Sequence, residues 1–417
     1  MANVFSNPTM VAAEALRHLE NNCVMGKLVY RGYDNEWKKR PNGWNVGSTI
    51  TVKAPAYFRV SSGRDMTGLL VELKERDTTF VVNQWKNVGW TLTAEEMTLD
   101  LDKWSQRFLR PAMQTLANYI DLALLGLYKD IPNQVGTPGT TPSSFYTFAQ
   151  AGARLDEEAC PLDDRYCVID PQAQAKLTDS LKGLFQQAIV SKSVEKGKII
   201  DNFAGFKMFM SQNVNTHTVG TWAAVADIQK NLIATERDAT HSLKSTGAAQ
   251  TYLQGDIFTI AAVNSVNPVS GQSTGSLRQF VVNTGGVMDG AGEIAALVGT
   301  PGTSPYQLNS SLAVATTWLP YQNIDTLPQD GAAVTVAGTT GLVHKVNMAF
   351  HKDCFGLVMV PIEVPASAAW KASMSHNGYT IQVLRWMDGL TYTESIRFDV
   401  LFGLKTLNPF LGCRIAG

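Results

Sequence analysis

Hydrophobic residues recur at helical spacing near the N-terminus, and within residues 9–21 one face carries Val11, Ala12, Ala15, Leu16 and Leu19. Steps of three and four residues are typical of an amphipathic helix with one buried face. No segment adjacent in the sequence offers a partner for this stripe. The pattern therefore predicts either an ordinary first helix or an arm that packs on another part of the molecule or on another molecule.

Strand-like alternation follows in two runs, STITVKAPAYFRV at residues 48–60 and TFVVNQWKNVGWTL at residues 79–92. The sequence between them, SSGRDMTGLLVELKERD, is polar and charged. This arrangement predicts a long two-stranded excursion. Because an isolated hairpin of that size is marginally stable in water, we expect its support to come from a neighbouring surface.

The longest helical pattern of the chain covers residues 102–128, where apolar positions again recur in steps of three and four. Thr93 and Glu96 fit a capping box ahead of it. A helix of that length would be about 40 Å long. Pro111 lies inside it, removes one backbone donor and is expected to bend the helix.

A strand followed by a helix is predicted for RYCVIDPQAQAKLTDSLKGLF at residues 165–185, with Asp170 as N-cap and Pro171 at the first helical position. Farther on, the apolar run FAGFKMFM changes abruptly into the polar run NVNTHT. We interpret this change as the exit from a buried strand into another module. On that interpretation His217 is a junction residue and does not bind a ligand.

Residues 247–343 form a charge-poor, Gly/Ser/Thr/Val/Ala-rich stretch with six charged residues: Asp256, Arg278, Asp289, Glu293, Asp325 and Asp330. About 24 would be average for that length. Short strand patterns separated by turns predict a small β-sandwich or barrel inserted into the chain. Strand-rich segments then return and continue to the C-terminus, so helices in the middle and strands from both halves predict an α+β fold.

Composition narrows the possible functions. The chain of 417 residues has room for two or three folding units, and its 35 basic and 36 acidic residues leave a net charge of −1. No strong field points to nucleic acid, membrane or an acidic substrate. Only 17% of residues are charged, where about 25% is typical. We therefore expect much of the surface to be covered by partners.

Cysteine usage and the N-terminal sequence bear on location. The five cysteines show no CxxC and no zinc-type pairing with histidine, which favours reduced thiols made in a cytosol. The N-terminus lacks a signal-peptide pattern, and no run of about 18 apolar residues occurs. We expect a protein that is neither exported by a signal peptide nor inserted in a membrane.

Three short motifs suggest chemistry. Residues 271–275 match G-x-S-x-G around Ser273, but the strand-to-helix context of a hydrolase elbow is missing. The Gly290-Ala291-Gly292 sequence has no βαβ unit around it and is interpreted as a turn. His351 and Cys354 would face opposite sides of one strand. We predict no catalytic residues, no cofactor and no metal ligands.

One tight basic cluster, Lys38, Lys39 and Arg40, is flanked by Trp37 and Trp44. Three charges would give only a shallow salt dependence in a nucleic-acid contact. We favour a solvated or subunit-facing patch over a nucleic-acid contact.

The order of these elements resembles tailed-bacteriophage major capsid proteins of the HK97 fold, and most of all the P22-type coat proteins that carry an insertion domain. The matching stretches are LDDRYCVIDPQAQAKL, GKIIDNFAGFKMFMSQNVNTHTVG, LQGDIFTIAAVNSVNP with TGSLRQFVV, VNMAFHKDCFGLV and SIRFDVLFGLKTLNPFLGCRI. Together they extend over most of the chain. None of them is a catalytic signature.

This resemblance implies a division of the chain. Residues 1–40 would be the N-terminal arm, 41–92 the E-loop, and 93–144 the spine helix with part of the peripheral (P) domain. Residues 145–216 would belong to the axial (A) and P domains. Residues 217–342 would be the insertion (I) domain, a small β-barrel, and 343–417 the return through the A and P domains.

The resemblance also implies a function. The chain would assemble as hexamers and pentamers into an icosahedral head around double-stranded DNA, with a scaffolding protein and a portal protein as partners and decoration proteins as a further candidate. It would be made in the host bacterial cytoplasm. Candidate inter-subunit contacts are Lys74, Glu75, Arg76 and Asp77 on the hairpin, together with Lys38, Lys39 and Arg40. An encapsulin-type compartment shell and, remotely, a serine hydrolase using Ser273 are the alternatives.

Overall fold

A computed structural model describes residues 8–33, 49–54, 56–58, 60, 64, 76–93, 105–181, 202–225, 227–231, 240–247, 249–297, 321–363, 370–389 and 393–417. The chain divides into two units. The first contains residues 1–51, 79–125 and 355–405, and the second contains residues 52–78, 126–354 and 406–417. Both units mix helices with sheets, which confirms the predicted α+β class. Among the described residues, no helix has the length and apolar character needed to cross a membrane.

The sheet of the first unit has the strand order β1 (Thr49–Ala54), β2 (Arg76–Thr93), β21 (Thr393–Thr406), β20 (Tyr379–Asp388) and β19 (Trp370–His376). Strand β18 (Phe355–Met359) also pairs with β21. Alternate residues of β21, namely Ile396, Phe398, Val400 and Phe402, are buried. The sheet therefore has one apolar face, as the period of two requires.

The first helix, α1 (Pro8–Asn22), buries all five residues of the predicted stripe. It packs on helix α2 (Arg110–Leu125) and on strands β19 and β20. These elements belong to the same unit of the same chain. Of the alternatives that the sequence left open, packing of α1 on other parts of the same chain is the one observed, and its partners come from distant parts of the sequence.

A buried carboxylate fixes the chain just after α1. Asp121 of α2 accepts hydrogen bonds from the backbone N–H groups of Val24, at 2.7 Å, and Met25, at 3.0 Å. Burial raises the pKa of Asp121 to about 6, although these amides act in the opposite direction. The carboxyl group thus satisfies two backbone donors, that of partly exposed Val24 and that of buried Met25.

We expect Asp121→Ala to lower the free energy of unfolding by about 2–4 kcal/mol, because it leaves a buried amide and a partly buried amide without an acceptor. Urea denaturation at pH 7.5 measures this loss, and limited proteolysis should show earlier cleavage near residues 23–25. Glu20→Ala is the matched control, since Glu20 holds α1 through exposed contacts with His376 and Asn377. Equal losses for the two variants would contradict the role given to Asp121.

The predicted second strand of the hairpin is confirmed as β2. The strand that pairs with it over most of its length is not the predicted first strand at residues 48–60. Residues 82–93 of β2 pair antiparallel with β21, which lies about 300 residues later in the sequence. The shorter β1 lies beside β2 at the edge of the sheet. Much of the segment between β1 and β2 lies outside the described residues, so the predicted excursion stays a prediction there.

The long helix is confirmed in its centre and subdivided at its ends. A π-helical turn, Ser105–Leu109, precedes α2, and a 3-10 turn, Gly126–Asp130, follows it. Pro111 is the second residue of α2, so the change from π-helical to α-helical hydrogen bonding falls next to the residue that lacks a backbone donor. Glu96 of the predicted capping box lies outside the described residues.

The main sheet of the second unit has the order β3 (Gln134–Val135), β22 (Gly412–Ile415), β17 (Asn347–His351), β4 (Arg165–Ile169), β6 (Phe206–Met210) and β5 (Asn202–Phe203). Helix α3 (Phe145–Glu157) and helix α4 (Pro171–Leu181) pack against it, and Phe148, Leu155, Leu177 and Phe206 lie in their shared core. Asp170 accepts hydrogen bonds from the N–H groups of Gln172 and Ala173. The predicted strand, N-cap and helix are thus confirmed.

Segment 217–342 contains short strands. The longest pair is β11 (Ile257–Val266) with β12 (Ser273–Val281), and β15 (Val334–Val336) extends that sheet. The other sheets are β8 (Gln229–Lys230), β9 (Thr240–Lys244) and β14 (Glu293–Leu297), and β10 (Thr251–Tyr252) with β13 (Gly286–Val287). One buried cluster, which includes Trp222, Leu243, Phe258, Phe280 and Ile324, packs between them. The strand-like run SLAVATTW, residues 311–318, lies outside the described residues.

Candidate functional site

The chain enters and leaves segment 217–342 through one two-stranded ribbon, which we term the neck. It consists of β7 (Thr216–Thr218) and β16 (Val343–Lys345), paired antiparallel. His217 lies directly opposite His344 in this register. The hydrogen bond from Val219 N–H to the Leu342 carbonyl continues the ribbon into the segment. The neck is thus the place where the backbone connects the segment to the main sheet of the second unit.

A buried carboxylate organises the neck. Asp256 accepts from Trp222 Nε1 at 2.8 Å and from the backbone N–H groups of Gly220 and Leu253. Its Oδ1 also lies 2.9 Å from His217 Nε2. Its side chain is fully buried, so every one of these bonds is made away from water. One carboxylate thus joins residues 217–222 to the turn at residues 253–256.

The other side of His217 faces the main sheet of the second unit. The Tyr128 hydroxyl lies 3.1 Å from His217 Nδ1, and burial raises the pKa of Tyr128. Arg414 on β22 places its guanidinium over the Tyr128 ring and donates to the Gly255 carbonyl at 2.6 Å. Gly255 has φ of +98°, and an added Cβ there would lie 3.3 Å from His217 Cε1. A glycine is therefore required at this close approach.

A second contact holds the segment to helix α3. Arg278 Nη1 donates to Glu158 Oε1 at 2.6 Å, and both side chains are almost fully buried. Burial lowers the pKa of Arg278, and its guanidinium also lies over the Phe410 ring. Arg154 donates to the Leu277 carbonyl. This contact fixes β12 against the end of α3 at a point separate from the neck.

Side-chain amides add to the second contact. Gln279 and Gln134 exchange two hydrogen bonds, with Gln134 N–H donating at 2.7 Å and Gln279 Nε2 donating at 2.9 Å. Asn267 Nδ2 donates to the Glu157 carbonyl at 3.0 Å. The segment is therefore held to the rest of the second unit mainly by polar contacts. Such contacts depend on direction and fix orientation more than an apolar contact would.

The sheet of the first unit presents an outward face with its own buried charge. Asp399 accepts from Trp85 Nε1 and from Arg397 Nε, each at 2.8 Å. Trp85 and Trp386 remain half-exposed. Tryptophan that keeps a satisfied N–H and an exposed ring is typical of protein interaction surfaces.

The apparent catalytic motifs are structural. Ser273 starts strand β12, and its hydroxyl donates to Asp325 at 3.2 Å, so the strand-to-helix elbow of a hydrolase is not formed. The Gly290-Ala291-Gly292 sequence is a turn in which Asp289 accepts from the N–H groups of Ala291 and Glu293. Both interpretations from the sequence are confirmed.

His351 and Cys354 differ from prediction in one respect. His351 ends β17, whereas Cys354 belongs to the 3-10 turn Lys352–Cys354, so the two do not lie on opposite faces of one strand. His351 Nδ1 accepts from the Asp353 N–H. All five cysteines are free and buried, as predicted for reduced thiols. Within the described part of the chain, no three His, Cys, Asp or Glu side chains gather as metal ligands.

Most of the residues predicted to form contacts between subunits lie outside the described residues. Lys38, Lys39, Arg40, Lys74 and Glu75 lie outside the described residues. Arg76 and Asp77 begin strand β2, but the positions of their side chains are not described. The structure brings none of these residues into a described site, so their role stays a prediction.

Sequence reasoning identified His217 as a junction residue, and the structure confirms that position. It missed Asp256, Arg278, Arg414 and Tyr128. One signal was present, because Asp256 and Arg278 are two of only six charged residues in residues 247–343. An isolated charge in a charge-poor stretch is a candidate for a buried, paired group.

These features define a two-unit α+β protein whose polar residues join structural modules. Residues 1–417 match the family described as "P22 coat protein - gene protein 5". The chain therefore belongs to the P22 coat protein family. Its members are structural proteins that form capsids from many copies, so the chain is a phage coat protein and not an enzyme, and it forms part of the virion.

The chain is also similar to a phage capsid protein of known sequence and to solved phage structures. The chain is 22% identical over 393 residues to the major capsid protein of Acyrthosiphon pisum secondary endosymbiont phage 1, covering 89% of this chain and 90% of that protein. A solved structure from Mycobacterium phage Che8 shows 11% identity and a TM-score of 0.45, covering 94% of this chain and 90% of that one. The capsid of Ralstonia phage GP4 shows 7% identity and a TM-score of 0.45, over 94% and 87% of the two chains.

Proposed function

We propose that the chain is the major subunit of an icosahedral tailed-phage head, arranged as hexamers and pentamers around double-stranded DNA. The observation that carries the proposal is the family match over all 417 residues. The match includes segment 217–342, which an encapsulin-type compartment shell would lack. Ser273 begins strand β12 and donates to Asp325, so the strand-to-helix elbow on which a serine hydrolase would depend is not formed.

We propose that the domains of the chain follow the HK97 arrangement. Residues 1–40 form the N-terminal arm, 41–92 the E-loop, 93–144 the spine helix and part of the P domain, and 145–216 with 343–417 the A and P domains. Residues 217–342 form the inserted domain, a small β-barrel. The separate buried cluster of that segment and its two polar contacts support this division.

Surface composition supports assembly from copies. Only 17% of the residues are charged, and protein interfaces are depleted of charge at their centres. Trp85 and Trp386 expose half of their surface on the outward face of the first unit's sheet. We propose that neighbouring copies cover such surfaces in the assembled shell, with a scaffolding protein guiding assembly and a portal protein at one vertex. Production in the host bacterial cytoplasm and binding of decoration proteins belong to the same proposal.

Expression with and without a candidate scaffolding protein tests this function. We expect uniform closed particles in the presence of the scaffold, seen as a fast-sedimenting species and as shells in negative-stain images. A product that stays strictly monomeric with and without the scaffold would contradict the proposal.

The hairpin charges should act between subunits. We expect the fourfold reversal Lys74→Glu, Glu75→Lys, Arg76→Glu and Asp77→Lys to leave the net charge unchanged. The free energy of unfolding of the free subunit should stay within about 1 kcal/mol of the wild-type value. The fraction of chains in fast-sedimenting particles should fall, since the lost contacts recur in every subunit. Charge reversal at Lys38, Lys39 and Arg40, which changes the net charge by −6 (three residues, −2 each), tests the second predicted patch. Unchanged particle yield for both variants would exclude these residues from the interfaces.

A further inference from the structure

The neck is built around two histidines. In an antiparallel pair, residues directly opposite each other project to the same face, and like charges at such positions repel. The His217 and His344 rings pack edge-to-face with centroids 5.7 Å apart. Nδ1 of His344 is buried and has no hydrogen-bond partner within the described part of the chain. The position of His344 is therefore suited to a neutral imidazole.

The charged groups around this pair are unevenly placed. Asp256 lies against His217 and can balance one positive charge there. Arg414, from β22, already brings a positive charge to the site, and Tyr128 contributes a neutral hydroxyl. The stem of Lys129 lies near Gly255, on the same side. At the centre of the neck, the carboxylate of Asp256 therefore faces the permanent positive charge of Arg414. Because these two charges balance each other, a proton on His344 would lack a negative charge to balance it.

We propose that the neck is an acid-sensitive joint: proton uptake by His344, which lies opposite His217, opens the β7–β16 ribbon, and segment 217–342 then pivots about its second contact at Arg278. This property goes beyond the proposed role in the shell. The acid-sensitive joint concerns the contacts that hold segment 217–342 within one subunit, so it does not depend on assembly.

The direction of the pH dependence follows from His344. Burial, followed by the nearby His217 and Arg414, lowers the pKa of His344 from 6.5 to about 4. The folded joint therefore binds a proton less readily than the open joint does. Closure is strongest above about pH 6.5, weakens as the pH falls from 6.5 towards 4, and changes no further below that range.

Hydrogen exchange of the full-length subunit measures the joint directly, after correction for the intrinsic pH dependence of exchange. Between pH 6.5 and 4.5, protection of amides in residues 216–220 and 341–346 should fall by about three- to tenfold per pH unit, tenfold being the limit for one proton. Amides in residues 154–158 and 276–280, at the second contact, should keep their protection. Neck protection that does not change with pH, or that falls together with the whole unit, would overturn the proposal.

His344→Gln removes the titrating group and should abolish most of this pH dependence. His376→Gln is the matched control, because His376 is an exposed histidine in the first unit. If His344→Gln still shows the full wild-type slope, the proposal is wrong. Cε1 hydrogen exchange of the histidines in the wild-type chain gives a test that does not depend on a variant. A His344 pKa below about 5 supports the joint, and an ordinary value near 6.5 overturns it.

Discussion

Asp256→Ala should lower the free energy of unfolding by about 3–5 kcal/mol, the range for breaking a buried charged contact. The variant leaves the Trp222 indole N–H, the backbone N–H groups of Gly220 and Leu253, and His217 without their shared acceptor. Trp222 belongs to the core of segment 217–342, so the loss extends from the neck into that core. Urea denaturation of the unassembled subunit at pH 7.5 measures the effect.

Asp289→Ala is the matched control for Asp256→Ala. Asp289 also accepts from backbone N–H groups in the same segment, but it lies in an exposed turn where water can replace the carboxylate. We expect a loss of about 1 kcal/mol or less for the control. If Asp256→Ala costs no more than Asp289→Ala, the carboxylate does not organise the neck.

Arg278→Met should also cost about 3–5 kcal/mol, because it leaves the Glu158 carboxylate buried without its partner. The double variant Arg278→Met with Glu158→Met should recover most of this loss, since two apolar side chains replace a buried pair without leaving a charge behind. Urea denaturation of both single variants and the double variant completes the cycle. Losses that simply add would show that the two groups act independently.

The sequence predicted those elements whose pattern depends on residues close together in the chain. The stripe on α1 and the Asp170 N-cap of α4 depend on spacings of three or four residues, and both are confirmed. The partners of these elements were not predictable in the same way. Strand β2 pairs with β21, about 300 residues away, and α1 packs on strands from the C-terminal part of the chain. Nothing in the local pattern specifies such distant contacts.

The candidate site shows the same limit. His217 was recognisable as a junction residue because the sequence changes abruptly from apolar to polar around it. Its partners are Asp256 and Tyr128, and Arg414 contacts Tyr128 and Gly255 beside them. These three residues come from different regions, and only the fold brings them together. Tyr128 and Arg414 carry no sequence signal beyond their type. Buried polar networks of this kind are assembled by topology, so spacing alone does not reveal them.

Support for α1 within its own unit changes where assembly contacts are expected. A helix whose apolar stripe is already buried contributes little further apolar area to a neighbouring copy. Contacts between subunits must therefore come from other surfaces, among which we propose the 41–92 segment and the outward face carrying Trp85 and Trp386. The central claim is that identical copies of this chain complete each other's surfaces in a closed shell.

Electron cryomicroscopy of particles purified from cells that express this chain with a scaffolding protein tests that claim most directly. We predict a closed icosahedral shell with pentamers at its vertices and hexamers between them, in which the 41–92 segment of each chain lies against a neighbouring copy. Open aggregates without symmetry, or a shell in which that segment contacts only its own chain, would contradict this account.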